Sequence, residues 1–176
     1  MKKLIMPFIF VVVFVLAGGA SAKDMKLAHA NLQKALNDSA AGVAAKNALQ
    51  EEAKKLEEAL NVKQESLKKM KSEMDKMAAV WTKEARDLKE AEFRTKNQEF
   101  QKQYMDYGEE LNKKKQEREA QIINELRSIV EDMAKKKGYV YVFERSLGGL
   151  LYAPAQDDIT DEVIKLYDER FKSGGK

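Results

Sequence analysis

A single histidine, His29, and no cysteine among 176 residues leave this chain few side chains able to do acid–base, nucleophilic or metal chemistry near neutral pH. His29 falls inside Met25 to Asn31, a short stretch that reads as a β-strand, where an imidazole finds a neighbour and serves structure. No G-x-S-x-G nucleophile elbow and no G-x-x-x-x-G-K-[ST] phosphate loop occurs. Asp and Glu are plentiful, but they are interleaved with Lys and Arg on helical stretches, a pattern of solvent-exposed ion pairs rather than of a catalytic carboxylate pair. The sequence therefore predicts no enzyme activity, no cofactor, no metal site and no nucleotide.

Charge and leader narrow the class further. Lys2 and Lys3 precede an apolar run from Leu4 to Leu16 and small residues ending Ala20-Ser21-Ala22, the arrangement of a secretory signal with an A-x-A cleavage site. The run is shorter than the roughly 20 residues that cross a bilayer. Residues 1–22 are thus expected to be removed, an uncleaved anchor being the competing reading, and the product to be soluble in the periplasm of a Gram-negative bacterium. Taking Lys2 and Lys3 from a formal charge of +3 leaves +1, so the basic character is slight. Interleaved charge gives no nucleic-acid footprint.

The elements that position everything else are two long apolar stripes. Leu49, Ala53, Leu56, Leu60, Lys63, Leu67, Met70, Met74, Met77 and Trp81 alternate steps of four and three, which makes a coiled-coil seam broken only by Lys63. Carried on in phase, the stripe becomes polar after Trp81. A second one starts in another phase, through Phe93, Asn97, Phe100, Tyr104, Tyr107 and Leu111, turns polar at Lys114 and Arg118, and recovers at Ile122, Leu126, Ile129 and Met133. The change of phase predicts an antiparallel helical hairpin over 43–137, its tip at 79–84 with Thr82 as N-cap. Without a Pro or Gly between Val43 and Tyr107, a single rod of roughly 140 Å remains the alternative. Lys114 and Arg118 are expected opposite Lys46 and Gln50, where packing should be wetter and the arm should bend.

Flanking pieces read as strand and turn. Tyr139 to Arg145 is rich in aromatic and branched residues, Gly138 after a lysine triplet is a helix stop, and Leu147-Gly148-Gly149-Leu150 reads as a hairpin turn into a strand at Leu150 to Ala153. Thr160, followed by Asp161 and Glu162, reads as the N-cap of a closing helix. Residues 173–176 should fray as a flexible tail. Residues 23–42 and 138–172 then form a small discontinuous body, near the size at which one chain struggles to bury a stable core. Self-association is expected there, through Leu27, Tyr139, Val140, Tyr141, Val142, Phe143, Leu150, Leu151 and Tyr152. The fold class is α+β and mainly α: a long coiled-coil hairpin projecting from a small strand-rich oligomerisation body.

This arrangement resembles the Skp/OmpH family of periplasmic chaperones across the mature chain, most specifically in Asn31-Leu32-Gln33-Lys34-Ala35-Leu36-Asn37, Ser39-Ala40-Ala41-Gly42 and Asp158-Ile159-Thr160-Asp161-Glu162-Val163-Ile164. Ala30-Asn31 departs from the valine–aspartate pair frequent in relatives. The resemblance implies a homotrimer whose arms surround a cavity and an ATP-independent holdase for unfolded outer-membrane β-barrel proteins in transit. Apolar residues outside the seam or at its end, Val62, Val80, Trp81 and Met105, become candidate client contacts. Met70, Met74 and Met77 add adaptable side chains, although their seam positions favour core. Lys68, Lys69, Lys71, Lys114 and Arg118 are placed to attract acidic clients, anionic lipid or lipopolysaccharide. A periplasmic coiled-coil spacer or adaptor without clients is the competing reading. An amphipathic membrane-surface binder fits less well, because neither helix has a wide apolar face.

Overall fold

The computed structural model describes residues 25–174, so the expected leader at 1–22 and the last two residues lie outside it. In chain order it contains strand β1 (Leu27–Ala30), helix α1 (Leu32–Asp38), helix α2 (Ala40–Met77), helix α3 (Lys83–Lys137), strand β2 (Tyr141–Glu144), a 3-10 turn (Ala155–Asp157) and helix α4 (Thr160–Lys172). The rod does fold back. At the usual rise α2 runs about 57 Å and α3 about 82 Å, and the two pack along each other as one antiparallel hairpin.

The turn forms where the stripe loses its phase. Helix α2 ends at Met77 with Ala78 as its C-cap, and Thr82 opens α3 by accepting the Ala85 N–H on its hydroxyl at 3.3 Å. Arg86 donates to the Ala78 carbonyl, closing the tip with one of the carbonyls α2 leaves free. At the other end Gly138 takes the left-handed conformation (φ 71°) that suits glycine, and the lysine triplet Lys135 to Lys137 sits in the last turn, where cations oppose the helix dipole.

Along the arm the seam is narrow and half-buried, as a two-helix structure must be. Leu56, Leu60, Leu67, Met70 and Met74 of α2 face Phe93, Asn97, Phe100, Tyr107 and Leu111 of α3. Tyr104 is a correction: it is exposed, and its neighbour Gln103 turns inward to take a hydrogen bond from Lys63. The one polar position in the first stripe thus meets a polar partner in the second.

The base of the hairpin is where a core exists. Ala35 and Leu36 of α1, Ala41 of α2, Ile122, Leu126, Ile129 and Met133 of α3, and Val163 and Tyr167 of α4 close into one cluster with Ala28 and Ala30 of β1. Helix α1 was not anticipated from the sequence. Asn31 caps it by accepting the Lys34 N–H at 2.7 Å, and the Glu144 carboxylate takes the Leu32 N–H at 3.1 Å. Helix α2 begins earlier than expected, at Ala40: Ser39 accepts the Gly42 N–H at 3.2 Å, and Asp168 of α4 accepts the Ala40 N–H at 2.8 Å, an anion at the positive end of the dipole.

Strands β1 and β2 pair in parallel, Leu27 opposite Tyr141 and His29 opposite Phe143, with the whole hairpin as their crossover. Two further expectations are corrected. Gly148 and Gly149 do turn with positive φ, but Leu150 to Ala153 forms no strand, and the segment that bridges to β1 is Asp158. Thr160 is the first residue of α4 rather than its cap: Asp158 accepts the Thr160 N–H at 2.8 Å, while the Thr160 hydroxyl accepts the Asn31 N–H at 2.9 Å.

Candidate functional site

Two surfaces gather the residues that the sequence singled out. The first is the outer face of the sheet and the loop beyond it. Alternation along the strands sends Ala28, Ala30 and Val142 toward α3, and Leu27, Tyr141 and Phe143 outward, where all three are exposed. Tyr141 and Phe143 lie side by side with ring centroids 6.2 Å apart. Val140 is exposed next to them, and the loop adds Leu147, Leu151 (99 % exposed) and Tyr152. Tyr139 and Val142 pack on the core instead, Tyr139 beneath the Lys26 ammonium at 4.7 Å, and Leu150 is half-buried. Large apolar side chains exposed in this number are unusual for so small a body.

The second surface is the arm. Val62, Val80 and Met105 stand exposed, as their positions outside the seam require, and Leu88 and Tyr104 join them. The sequence reading missed Leu88, since it falls in the polar continuation of the first stripe; an apolar residue on an otherwise charged turn was the available signal. Met70, Met74 and Trp81 are half-buried in or at the end of the seam, whereas Met77 is exposed at the tip. Lys68 turns back onto Glu65 at 2.7 Å, and Lys69 and Lys71 are exposed beside it. On α3, Lys96 and Lys89 both bond Glu92, pulling its carboxyl down to about 2. The distal arm therefore mixes paired charges with single apolar side chains.

Where the arm joins the body, the packing loosens on both sides of the seam. Two open grooves of about 870 and 820 Å³ flank it, sharing Ala45, Leu49, Arg118 and Ile122 in their walls. Alanines at 41, 44, 45 and 48 leave the space, and the seam positions opposite carry charge: Lys114 bonds both Glu110 and Glu52, which raises its proton affinity. Arg118 lines both grooves, with Lys46 and Gln50 in one of them, as the spacing predicts, whereas Lys114, expected opposite the same pair, lines the other groove and bonds Glu52. Gly108 sits between this region and the Lys63–Gln103 pair. It lies inside a 55-residue helix, and a Cβ built there would meet nothing within 4 Å, so no close packing explains the glycine.

Among the described residues no group of three or more His, Asp or Glu is placed to hold a metal ion, and no helix is long and apolar enough to cross a membrane. The Tyr167 hydroxyl, raised well above its ordinary value by burial and by its bond to Glu125, donates at 2.5 Å and holds α4 to α3.

Comparison with known proteins agrees with this architecture. The family described as outer membrane protein (OmpH-like) matches residues 26–167. A Skp-like protein of Pseudomonas aeruginosa is 30 % identical over 165 residues, which covers 90 % of this chain and 93 % of the relative. A crystal structure of an OmpH-like protein from Caulobacter crescentus, proposed to be an outer membrane chaperone, superposes with a TM-score of 0.77 at 17 % identity, over 83 % of this chain and 85 % of that one. Shared hairpin, shared small body and a family match running from β1 into α4 lead to one conclusion: the chain belongs to the Skp/OmpH family of OmpH-like proteins.

Proposed function

We propose that this protein is an ATP-independent periplasmic holdase, which assembles as a homotrimer and keeps unfolded outer-membrane β-barrel proteins from aggregating between its arms. In this reading residues 1–22 are the cleaved leader, 23–42 with 138–172 the oligomerisation body, and 43–137 the arm. The observation that carries it is a hairpin reaching about 55 Å beyond the core with isolated apolar side chains, Val62, Val80, Leu88 and Met105, that its own packing does not use. Many weak contacts of this kind restrain a chain of alternating apolar and polar residues without selecting one sequence. The apolar groups on the body support self-association, since the sheet covers only its inner face on α3 and leaves Leu27, Tyr141 and Phe143 exposed. Lys69 and Lys71 near the tip would add attraction to acidic clients, anionic lipid or lipopolysaccharide.

The test is suppression of light scattering from a denatured outer-membrane β-barrel protein diluted into buffer. Replacing Val62, Val80, Leu88 and Met105 together with Ser should leave helical content and melting unchanged while raising the concentration needed for suppression about tenfold or more. Unchanged suppression would show that the arm faces are not the holding surface.

The grooves around Arg118, the polar layers and Gly108 together make the lower arm its soft part, and bending there would let the cavity adapt to client size. Gly108→Ala should raise helix stability by about 0.5 to 1 kcal/mol, since a methyl there meets nothing and removes backbone freedom from the unfolded chain. Amide exchange should slow on both sides of residue 108; no change in stability or exchange would place the softness elsewhere.

A further inference from the structure

Of the six methionines among the described residues, three share one stripe at the end of α2: Met70, Met74 and Met77, spaced i, i+4, i+7. Between Lys68 and Met77 the half-buried residues of α2 are Met70 and Met74 alone, and Met77, 39 % exposed, continues the same stripe. Helix α3 offers little in return. From Lys83 to Lys96 its half-buried residues are Ala85, Glu92 and Phe93, while Leu88 stands exposed. The bonds that cross the arm, Lys63 to Gln103 and Lys114 to Glu52, share one register, which carried to the tip sets Met74 level with Glu92 and Met77 level with Lys89. Thioethers therefore supply most of the apolar contact that keeps the outer arm closed. They are also within reach of reagents in solvent, because a two-helix seam has no third layer over it. The same chain holds the contrasts: Met133 is 3 % exposed in the core, and Met105, 61 % exposed, lies outside the seam. No cysteine occurs to intercept an oxidant first.

We propose that Met70, Met74 and Met77 form a reversible oxidation site at which a peroxide unzips the outer arm. With hydrogen peroxide, the thioether sulfur gives an electron pair to one peroxide oxygen and the O–O bond breaks. The departing hydroxide takes the proton of the oxygen kept on sulfur and leaves as water, so sulfur is oxidised by two electrons and the peroxide is reduced by two. The product is a sulfoxide, whose oxygen accepts hydrogen bonds and donates none. At this level of α3 stand Phe93 and Glu92, and the neighbouring cations are committed: Lys89 and Lys96 both hold Glu92 at 2.9 Å, and Arg86 donates to the Ala78 carbonyl. The sulfoxide oxygen thus finds its partner in water, and turning toward it takes the sulfur off the stripe. Opening stops where the seam returns to hydrocarbon at Leu67, Leu60 and Phe100, beside the Lys63–Gln103 bond. Sulfoxide reductases, one for each epimer, restore the thioether with two electrons and two protons and release water. What an opened tip does to a held client rests on the proposed function; the opening itself does not.

The test treats the mature full-length chain with hydrogen peroxide and follows peptide masses, amide exchange and the emission of Trp81, the single tryptophan, half-buried where the stripe ends. Met105 should gain oxygen first and without structural effect, and Met133 last. Once Met70, Met74 and Met77 carry oxygen, exchange should quicken about tenfold or more over 70–77 and 85–93 while 43–60 keeps the parent rates. Trp81 emission should move to longer wavelength in step. Replacing the three methionines together with Leu, a swap that conserves volume and keeps the stripe apolar, should preserve helical content and abolish both changes. Treatment with both methionine sulfoxide reductases should return mass, exchange and emission together. Complete oxidation of the three sulfurs with exchange unchanged, an equal loosening of the Leu variant, or three sulfurs no more reactive than Met133 overturns the site. Every readout is blind to clients, so failure of the holdase reading leaves them untouched.

Discussion

Gly42→Ala should destabilise the protein by about 3 kcal/mol, an unusually large penalty for adding one methyl group. A Cβ at this position would land on the Leu36 carbonyl oxygen, 2.9 Å from its carbon and 3.2 Å from the Ser39 hydroxyl oxygen. Those are backbone and cap atoms, which no rotamer change can move aside. Helix α1 folds back over the first turn of α2 only because residue 42 has no side chain, and Ser39, itself buried, uses the same turn to cap α2. Urea unfolding at fixed protein concentration reads the loss, since self-association would otherwise shift the apparent value. The contrast with Gly108→Ala is the sharper test: the same substitution should carry opposite signs at the two sites, because one glycine is pressed against backbone and the other faces open space. Equal effects would mean that α1 does not pack on α2 as described.

Leu126→Ala should cost a further and independent 2 to 5 kcal/mol, roughly, by leaving a cavity in the core at the base of the hairpin. Leu126 is 0 % exposed and belongs to the cluster where α3 meets α1 and α4. Few layers surround it, so collapse around the gap is limited, yet the arm beyond residue 118 has its own seam. Helicity should therefore fall less steeply than body structure, and the two probes should separate on heating. The exposed Leu88 is the matched control: Leu88→Ala should change stability by no more than about 0.5 kcal/mol. A Leu126→Ala chain as stable as the parent would relocate the core.

Much of this was legible in the sequence because long periodic stripes average over local detail. The phase change after Trp81 located the turn, and Thr82 capped α3 as its chemistry required. Short elements were harder. Helix α1 spans seven residues, too few for periodicity to stand out, although Asn31 followed by Leu32, Ala35 and Leu36 carried the cap and the buried face. Leu150 to Ala153 has the composition of a strand but pairs with none, and propensity alone does not make a ladder. Tyr104 was misplaced because heptad counting favoured the aromatic over Gln103, while Lys63 needed an acceptor and drew the amide inward. For the candidate contacts, apolar residues outside the stripe were read correctly as exposed at Val62, Val80 and Met105; Leu88, sharing a stripe's phase, was not. His29 lies in a strand and finds a neighbour as expected, but which one was not legible, since the Pro154 carbonyl comes from 125 positions away.

Slender arms that hold a client while rooted in a shared body are the centre of the proposed function. Native mass spectrometry of the mature chain, alone and after mixing with a denatured outer-membrane β-barrel protein, tests this most directly. A mass of three chains, converted on mixing to three chains plus one client and left unchanged by the same barrel protein already folded, is the expected result. A single-chain mass, or equal capture of folded and unfolded barrel, would contradict it.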